Sequence, residues 1–191
     1  YTGAIFAQKE LSGPVAIASI TKLMTAIVSN EVISYLRQIE VVATSTSSTS
    51  EALDPLLAHN AMIGEHFELG KLQYPLLMES NNWVAQSIAE NYGKTIFTRR
   101  MNEKARALGM NNTNFADSLG LSADNTSTPY DLFLLARYLY QKDTFVLKIS
   151  KVKEKTITSK EGNSFVFYNF NHFADDPRFV GGKVGQTTAA G

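Results

Sequence analysis

The apolar residues of this chain switch from helical to alternating spacing after Lys151, and that switch limits the fold more than any other feature. From Ser19 to Val28, and again between residues 69 and 141, they recur at helical intervals. Ile20, Leu23, Met24, Ile27 and Val28 mark one face of a first helix, and the width of that stripe predicts that the helix is largely buried. "LGKLQYPLLM", "NNWVAQSIAENYG", "FTRRMNEKARALGM" and "STPYDLFLLARYLYQ" read as further helices, with a break at residues 80–82 and a stop near Gly93. In the last of them Thr128 is a cap, Pro129 suits the first turn and Asp131 reads as the capping-box acid. After Lys151 the residues alternate instead, and "KEKTITSKEGNSFVFYNF" reads as a hairpin turning at residues 160–163. Residues 4–7 read as an opening strand, "SGPVAIAS" as a loop, residues 43–55 as an exposed polar loop, and "RFVGGKVGQTTAAG" as a glycine-flanked late strand. A strand, then helices, then strands predicts an α+β fold: an antiparallel sheet flanked by helices, with a mostly helical insert. Residues 1–191 read as a single domain, in which 1–28 and 151–191 supply the sheet part with the first helix and 29–150 the helical part.

Composition narrows the function classes. Eighteen basic and eighteen acidic residues cancel, and no dense basic stripe interrupts the balance, so nothing points to nucleic acid. The apolar runs are too short to span a bilayer. Cysteine is absent, which removes disulfides and thiolate metal sites and leaves an oxidising compartment tolerable. His59, His66 and His172 lack metal-ligand spacing, and there is no His-Glu-x-x-His, P-loop or dinucleotide glycine pattern. Trp83 and the aromatics of residues 165–173 read as core and sheet packing.

Two Ser-x-x-Lys pairs occur, Ser19/Lys22 and Ser150/Lys153. On a helix, positions three apart share a face with Cβ atoms about 5–6 Å apart. On a strand they point to opposite faces, which sets aside Ser150/Lys153 at the edge of the alternating run. Ser19 has two readings. As an N-cap it would close the start of the helix. As a nucleophile it would lie in the positive potential of a helix start, beside a lysine whose pKa desolvation would lower enough to take its proton. Two further stretches bear on the choice. "ESNNW" holds the only Ser-x-Asn, Ser80 to Asn82, and "GGKVGQT" holds Lys183-Val184-Gly185. Ser-x-Asn alone reads as a capping turn, and the other Lys-x-Gly, Lys160 to Gly162, as turn chemistry. The order and spacing of the three motifs say more than each does alone.

That series resembles the penicillin-binding D-alanyl-D-alanine carboxypeptidases of the serine β-lactamase/DD-peptidase superfamily. "ASITKLMTAIV" is similar to the family's nucleophile helix, "LLMESNNWVAQSIAE" to its Ser-x-Asn segment and "GGKVGQTTAAG" to its Lys-Thr-Gly strand. The resemblance covers nearly the whole chain and is weakest over residues 29–60. It implies Ser19 as acylated nucleophile, Lys22 as general base, Ser80 as proton relay to the leaving amine and Asn82 as a holder of the substrate amide. Lys183 would attract the substrate's terminal carboxylate, with Val184, Gly185, Gln186 and Thr187 along the substrate, and the backbone N–H groups of Ser19 and Gln186 would form the oxyanion hole. Implied partners are a peptidoglycan stem peptide ending in D-Ala-D-Ala and β-lactam inhibitors, outside the cytoplasm, with no metal or organic cofactor. Membrane association would run through segments absent here, since the chain reads as truncated at both ends.

Three features depart from the family pattern. Val184 replaces a threonine, Glu79 and Asn81 flank and fill the Ser-x-Asn motif, and the chain stops at Gly191 where the family continues. Two rivals share the resemblance. A class A β-lactamase would need a Glu-x-x-x-Asn loop, and the region reads "NNTNFADSLGLS" instead. A penicillin-fold protein that binds without turnover would read Val184 as decay.

Overall fold

The computed structural model describes residues 13–43, 61–142, 144–185, 187, 188 and 190. The strand expected at residues 4–7, most of the polar loop at 43–55, His59 and Gln186 lie outside them. The described chain is α+β. Strand β1 (Val15–Ala16) leads through a 3-10 turn (Ala18–Ile20) into α1 (Thr21–Val32), followed by β2 (Gln38–Glu40) and β3 (His66–Glu68). Helices α2 (Leu69–Met78), α3 (Asn82–Tyr92) and α4 (Lys94–Ala107) come next, then β4 (Thr126–Ser127), α5 (Pro129–Gln141) and α6 (Thr144–Ser150). The hairpin β5 (Glu154–Thr158) and β6 (Ser164–Tyr168) closes the series of regular elements, ahead of a 3-10 turn at His172–Asp175.

Helix α1 is central because its apolar positions face several neighbours at once; it packs on α2, α3, α4 and α6. Met24, Ala26 and Ile27 are wholly buried, and so are the polar Thr21, Lys22, Thr25 and Ser29. Buried polar groups need partners. Thr25 Oγ1 donates to the Ser118 carbonyl at 2.7 Å, and Gln73 Nε2 of α2 donates to Ser29 Oγ at 3.0 Å. The predicted burial of this helix is what the structure shows.

The strands form three separate antiparallel ladders among the described residues, β1 with β4, β2 with β3 and β5 with β6. The hairpin has the expected turn, with Thr158 opposite Ser164 and Glu154 opposite Tyr168. Its alternation buries Phe165 and Phe167 and exposes Val166 and Tyr168, whereas Phe170 and Phe173 lie exposed rather than in the sheet packing expected of them. The late strand at residues 183–185 is not a strand. Among the described residues it joins no ladder; just before it the Gly182 N–H donates to the Ser150 side chain at 3.0 Å, and Gly181 has φ 133. Asp131 also departs from expectation. Thr128 does cap α5, accepting from the Asp131 N–H at 3.2 Å, but the Asp131 carboxylate turns away to accept from Asn112 N and Thr113 Oγ1, both at 2.8 Å. The carboxylate gains two donors that way, where a capping box offers one.

Candidate active site

Ser19 sits in the 3-10 turn just ahead of α1, and α1 receives no side-chain cap at its N-terminus. The capping reading of Ser19 therefore has no hydrogen bond behind it. Instead Lys22 Nζ lies 2.9 Å from Ser19 Oγ, one helical turn on, as the i, i+3 spacing requires. Lys22 is fully buried and donates also to the Leu119 carbonyl at 2.5 Å, a partner ninety-seven residues away in sequence. A lysine that gives one N–H to a carbonyl and points at a hydroxyl is held in one orientation.

The backbone on either side of this pair is constrained. Ala18, immediately before Ser19, has φ 45, a conformation that costs a non-glycine residue about 1–3 kcal/mol. Gly120 lies flat against it, so close that a Cβ there would stand 2.1 Å from the Ala18 carbonyl oxygen. Gly185 approaches from the other side, where a Cβ would meet Ser19 N at 3.0 Å and Ile20 N at 3.1 Å. Glycine at 185 therefore allows the Lys-x-Gly segment to lie on the turn that leads into α1.

Ser80 joins α2 to α3. The Pro75 carbonyl accepts from both Glu79 N at 3.3 Å and Asn81 N at 3.1 Å, which turns the chain sharply at the end of α2. Ser80 takes up that turn at φ 62, a position that glycine usually fills at a helix end. A serine there keeps a hydroxyl where glycine would have none. Its Oγ is buried and has no hydrogen-bond partner among the described residues. Asn81 Oδ1 caps α3 by accepting from Val84 N at 3.0 Å, and Asn82 begins that helix, mostly buried. Glu79 Oε1 accepts from Tyr168 N at 2.8 Å and so ties the Ser80 turn to the end of β6.

Lys183 lines a hollow of about 390 Å³ whose other walls are largely apolar, Ile20, Leu23 and Leu135 among them. Although the residue is only partly buried, burial pushes its amine down to about 7. Its Nζ donates to the Val184 carbonyl at 2.6 Å. Val184 itself is exposed, and Thr187 Oγ1 accepts from Ala190 N at 3.2 Å in a local turn. The structure thus brings Ser19, Lys22 and Gly185 together and puts Lys183 and Ile20 on the walls of one hollow, while Ser80 and Asn82 lie at the junction of α2 and α3, two helices that pack on α1. Ser150 and Lys153 diverge, though Ser150 ends a helix rather than bordering a strand. Ser150 Oγ accepts from Gly182, and Lys153 pairs with Asp175. His66 pairs with Glu161 at 2.9 Å.

Sequence reasoning passed over the Leu119 carbonyl, Gly120 and the Glu79 tie. Only the glycine in "SLGLS" offers a signal, and a glycine in a loop suggests a turn rather than a contact with a helix start.

This α+β frame is that of the penicillin-binding DD-peptidases. A solved D-alanyl-D-alanine carboxypeptidase from Mycobacterium tuberculosis H37Rv matches the chain with a TM-score of 0.81 at 22% identity, over 98% of this chain and 70% of that one. Penicillin-binding protein D2 from Listeria monocytogenes, solved in its ampicillin-bound form, matches with a TM-score of 0.77 at 26% identity, over 99% and 76%. The chain belongs to the peptidase S11 family, D-alanyl-D-alanine carboxypeptidase, whose match runs over residues 1–191. A D-alanyl-D-alanine endopeptidase of Pseudomonas aeruginosa is 36% identical over 180 residues, covering 92% of this chain. This chain spans 56% of that relative's length.

Proposed function

We propose that this chain carries the acylation centre of a serine DD-peptidase that removes the terminal D-alanine from peptidoglycan stem peptides outside the cytoplasm. The observation that carries the reading is the fully buried Lys22 Nζ 2.9 Å from Ser19 Oγ. Lys22 takes the hydroxyl proton as Ser19 Oγ attacks the carbonyl of the penultimate D-alanine. The Ser19 N–H, at the helix start, donates to the developing oxyanion, with the Gln186 N–H as the second donor by the family resemblance. Ser80 passes the proton to the leaving amine, and Asn82 holds the substrate amide. Lys183 attracts the terminal carboxylate, with Val184, Gly185 and Thr187 alongside the substrate. The C–N bond breaks, D-alanine leaves, and water hydrolyses the Ser19 ester. A β-lactam enters by the same attack, and its ring opening leaves a stable penicilloyl ester.

Incubation with a fluorescent penicillin, followed by intact-mass analysis and peptide mapping, tests this. One penicilloyl group on Ser19 is expected; a label on Ser80 or Ser150 would overturn the assignment. The naming of the Pseudomonas relative as an endopeptidase supports a second reading, scission of D-alanyl cross-links by the same residues. Release of free D-alanine from a stem pentapeptide, set against cleavage of a cross-linked dimer, separates the two.

A further inference from the structure

Between α4 and β4, residues 117–125 read "DSLGLSADN". The turn at its head is held by one carboxylate. Asp117 Oδ1 accepts from Leu119 N at 2.8 Å and Gly120 N at 2.6 Å, and Oδ2 accepts from Ser122 N at 2.8 Å. Three amides on one charged acceptor are stronger than neutral turn bonds and fix the direction of the carbonyls between them. Asn125 fastens the far side of the loop. Its side-chain oxygen accepts from Ala116 N at 3.0 Å, and its carbonyl accepts from Ile17 N at 3.0 Å. Two consequences reach the Ser19 site. The Leu119 carbonyl points at Lys22 Nζ, and Gly120 lies against the Ala18 carbonyl.

We propose that Asp117 is a positioning residue for acylation: it holds the 117–122 turn so that the Leu119 carbonyl orients Lys22 Nζ and Gly120 seats the backbone before Ser19. The proposal rests on the Ser19–Lys22 reading above. An asparagine has the same shape but one acceptor oxygen, so its NH₂ group would face an amide donor, and the turn would lose at least one of its three bonds. A displacement of about 1 Å at a reacting group costs on the order of a hundredfold in rate.

The test is a double-mutant cycle with Asp117→Asn and Lys22→Met, read as the first-order acylation constant and the pre-acylation binding constant for penicillin, with the thermal midpoint of each variant. In the parent background Asp117→Asn should lower the acylation constant about 10- to 100-fold and leave pre-acylation binding unchanged. In the Lys22→Met background it should change nothing further, since a residue that acts through the lysine has no effect without it. Equal losses in both backgrounds, no loss in the parent, or a loss confined to binding would overturn the proposal. If residual labelling of Lys22→Met is below detection, the split between the two constants decides. If Asp117→Asn does not fold, Asp117→Glu, which moves the carboxylate by one methylene, replaces it with the same expected outcome. Lys22→Met acylating at the parent rate would instead refute the Ser19–Lys22 reading itself.

Discussion

Replacing Lys22 by methionine separates its bond to the Leu119 carbonyl from the base role proposed for it. Methionine is unbranched and nearly as long, so it fills the space without leaving a cavity, whereas arginine would overpack a fully buried site by about 1–3 kcal/mol. The stability effect has two opposing parts. The Leu119 carbonyl loses its 2.5 Å donor, which costs about 1–3 kcal/mol for a buried acceptor. Against that, an amine no longer has to be held out of water, which returns a comparable amount. The net change should stay within about 2 kcal/mol, or roughly 4–8 °C in thermal midpoint for a chain of this size. The kinetic effect has no such offset. Ser19 Oγ loses the amine that the helix sets 2.9 Å from it, the base of the proposed mechanism, and general bases contribute about 10²–10⁴-fold, or about 3–5 kcal/mol of barrier. The assay is the rate of penicilloyl ester formation by stopped incubation and intact mass, beside calorimetric unfolding of the same preparations. A folded Lys22→Met variant that acylates at the parent rate would refute the reasoning, and so would one that unfolds outright.

Four other outcomes follow from the same geometry. Gly120→Ala and Gly109→Ala share a positive φ, +85 and +81, but only the first drives a Cβ to 2.1 Å from a backbone oxygen, while the second meets nothing closer than 3.7 Å. Both should lose about 1–2 kcal/mol for the backbone, and Gly120→Ala about 1–3 kcal/mol more together with acylation; equal midpoints and equal labelling would contradict the contact with Ala18. Because burial holds the Lys183 amine down to about 7, it is charged below that pH and neutral above it. Accordingly, kcat/KM for a carboxylate-ended peptide should fall as pH rises through about 7, while that for the terminal amide should not follow; parallel profiles would remove Lys183 from carboxylate recognition. Val184→Thr should speed the carboxylate substrate about tenfold and the amide less, since the exposed side chain can gain a hydroxyl donor without repacking, and equal gains would count against it. At the surface, the His66 backbone N–H, the largest cause, holds Glu161 down to about 2 from 4.5, so its contribution to stability is present above about 4.5 and lost as pH falls through about 2. Glu161→Gln should therefore lower the thermal midpoint slightly at pH 7 and progressively less as pH falls toward 2, and a constant difference would rule the linkage out.

The sequence by itself determined the features that depend on residue spacing along one element. The stripe of Ile20, Leu23, Met24 and Ile27 specifies a helix, and the same period places Lys22 over Ser19. Alternation in "SFVFY" specifies which residues of β6 are buried, and Thr128 with Pro129 marks the start of α5. Each is encoded locally, because side-chain direction follows the 3.6- or 2-residue period of the backbone. Tertiary structure alone decided what surrounds that pair. The Leu119 carbonyl on Lys22, the Ser150 hydroxyl on Gly182, the Glu79 carboxylate on Tyr168 and the flat contacts of Gly120 and Gly185 with the head of α1 join residues far apart in the chain. In each of them one partner is a main-chain atom. Every residue carries the same N–H and C=O, apart from proline, so such a contact leaves no residue type in the sequence to mark it, and only the packing of the helices decides which backbone group arrives.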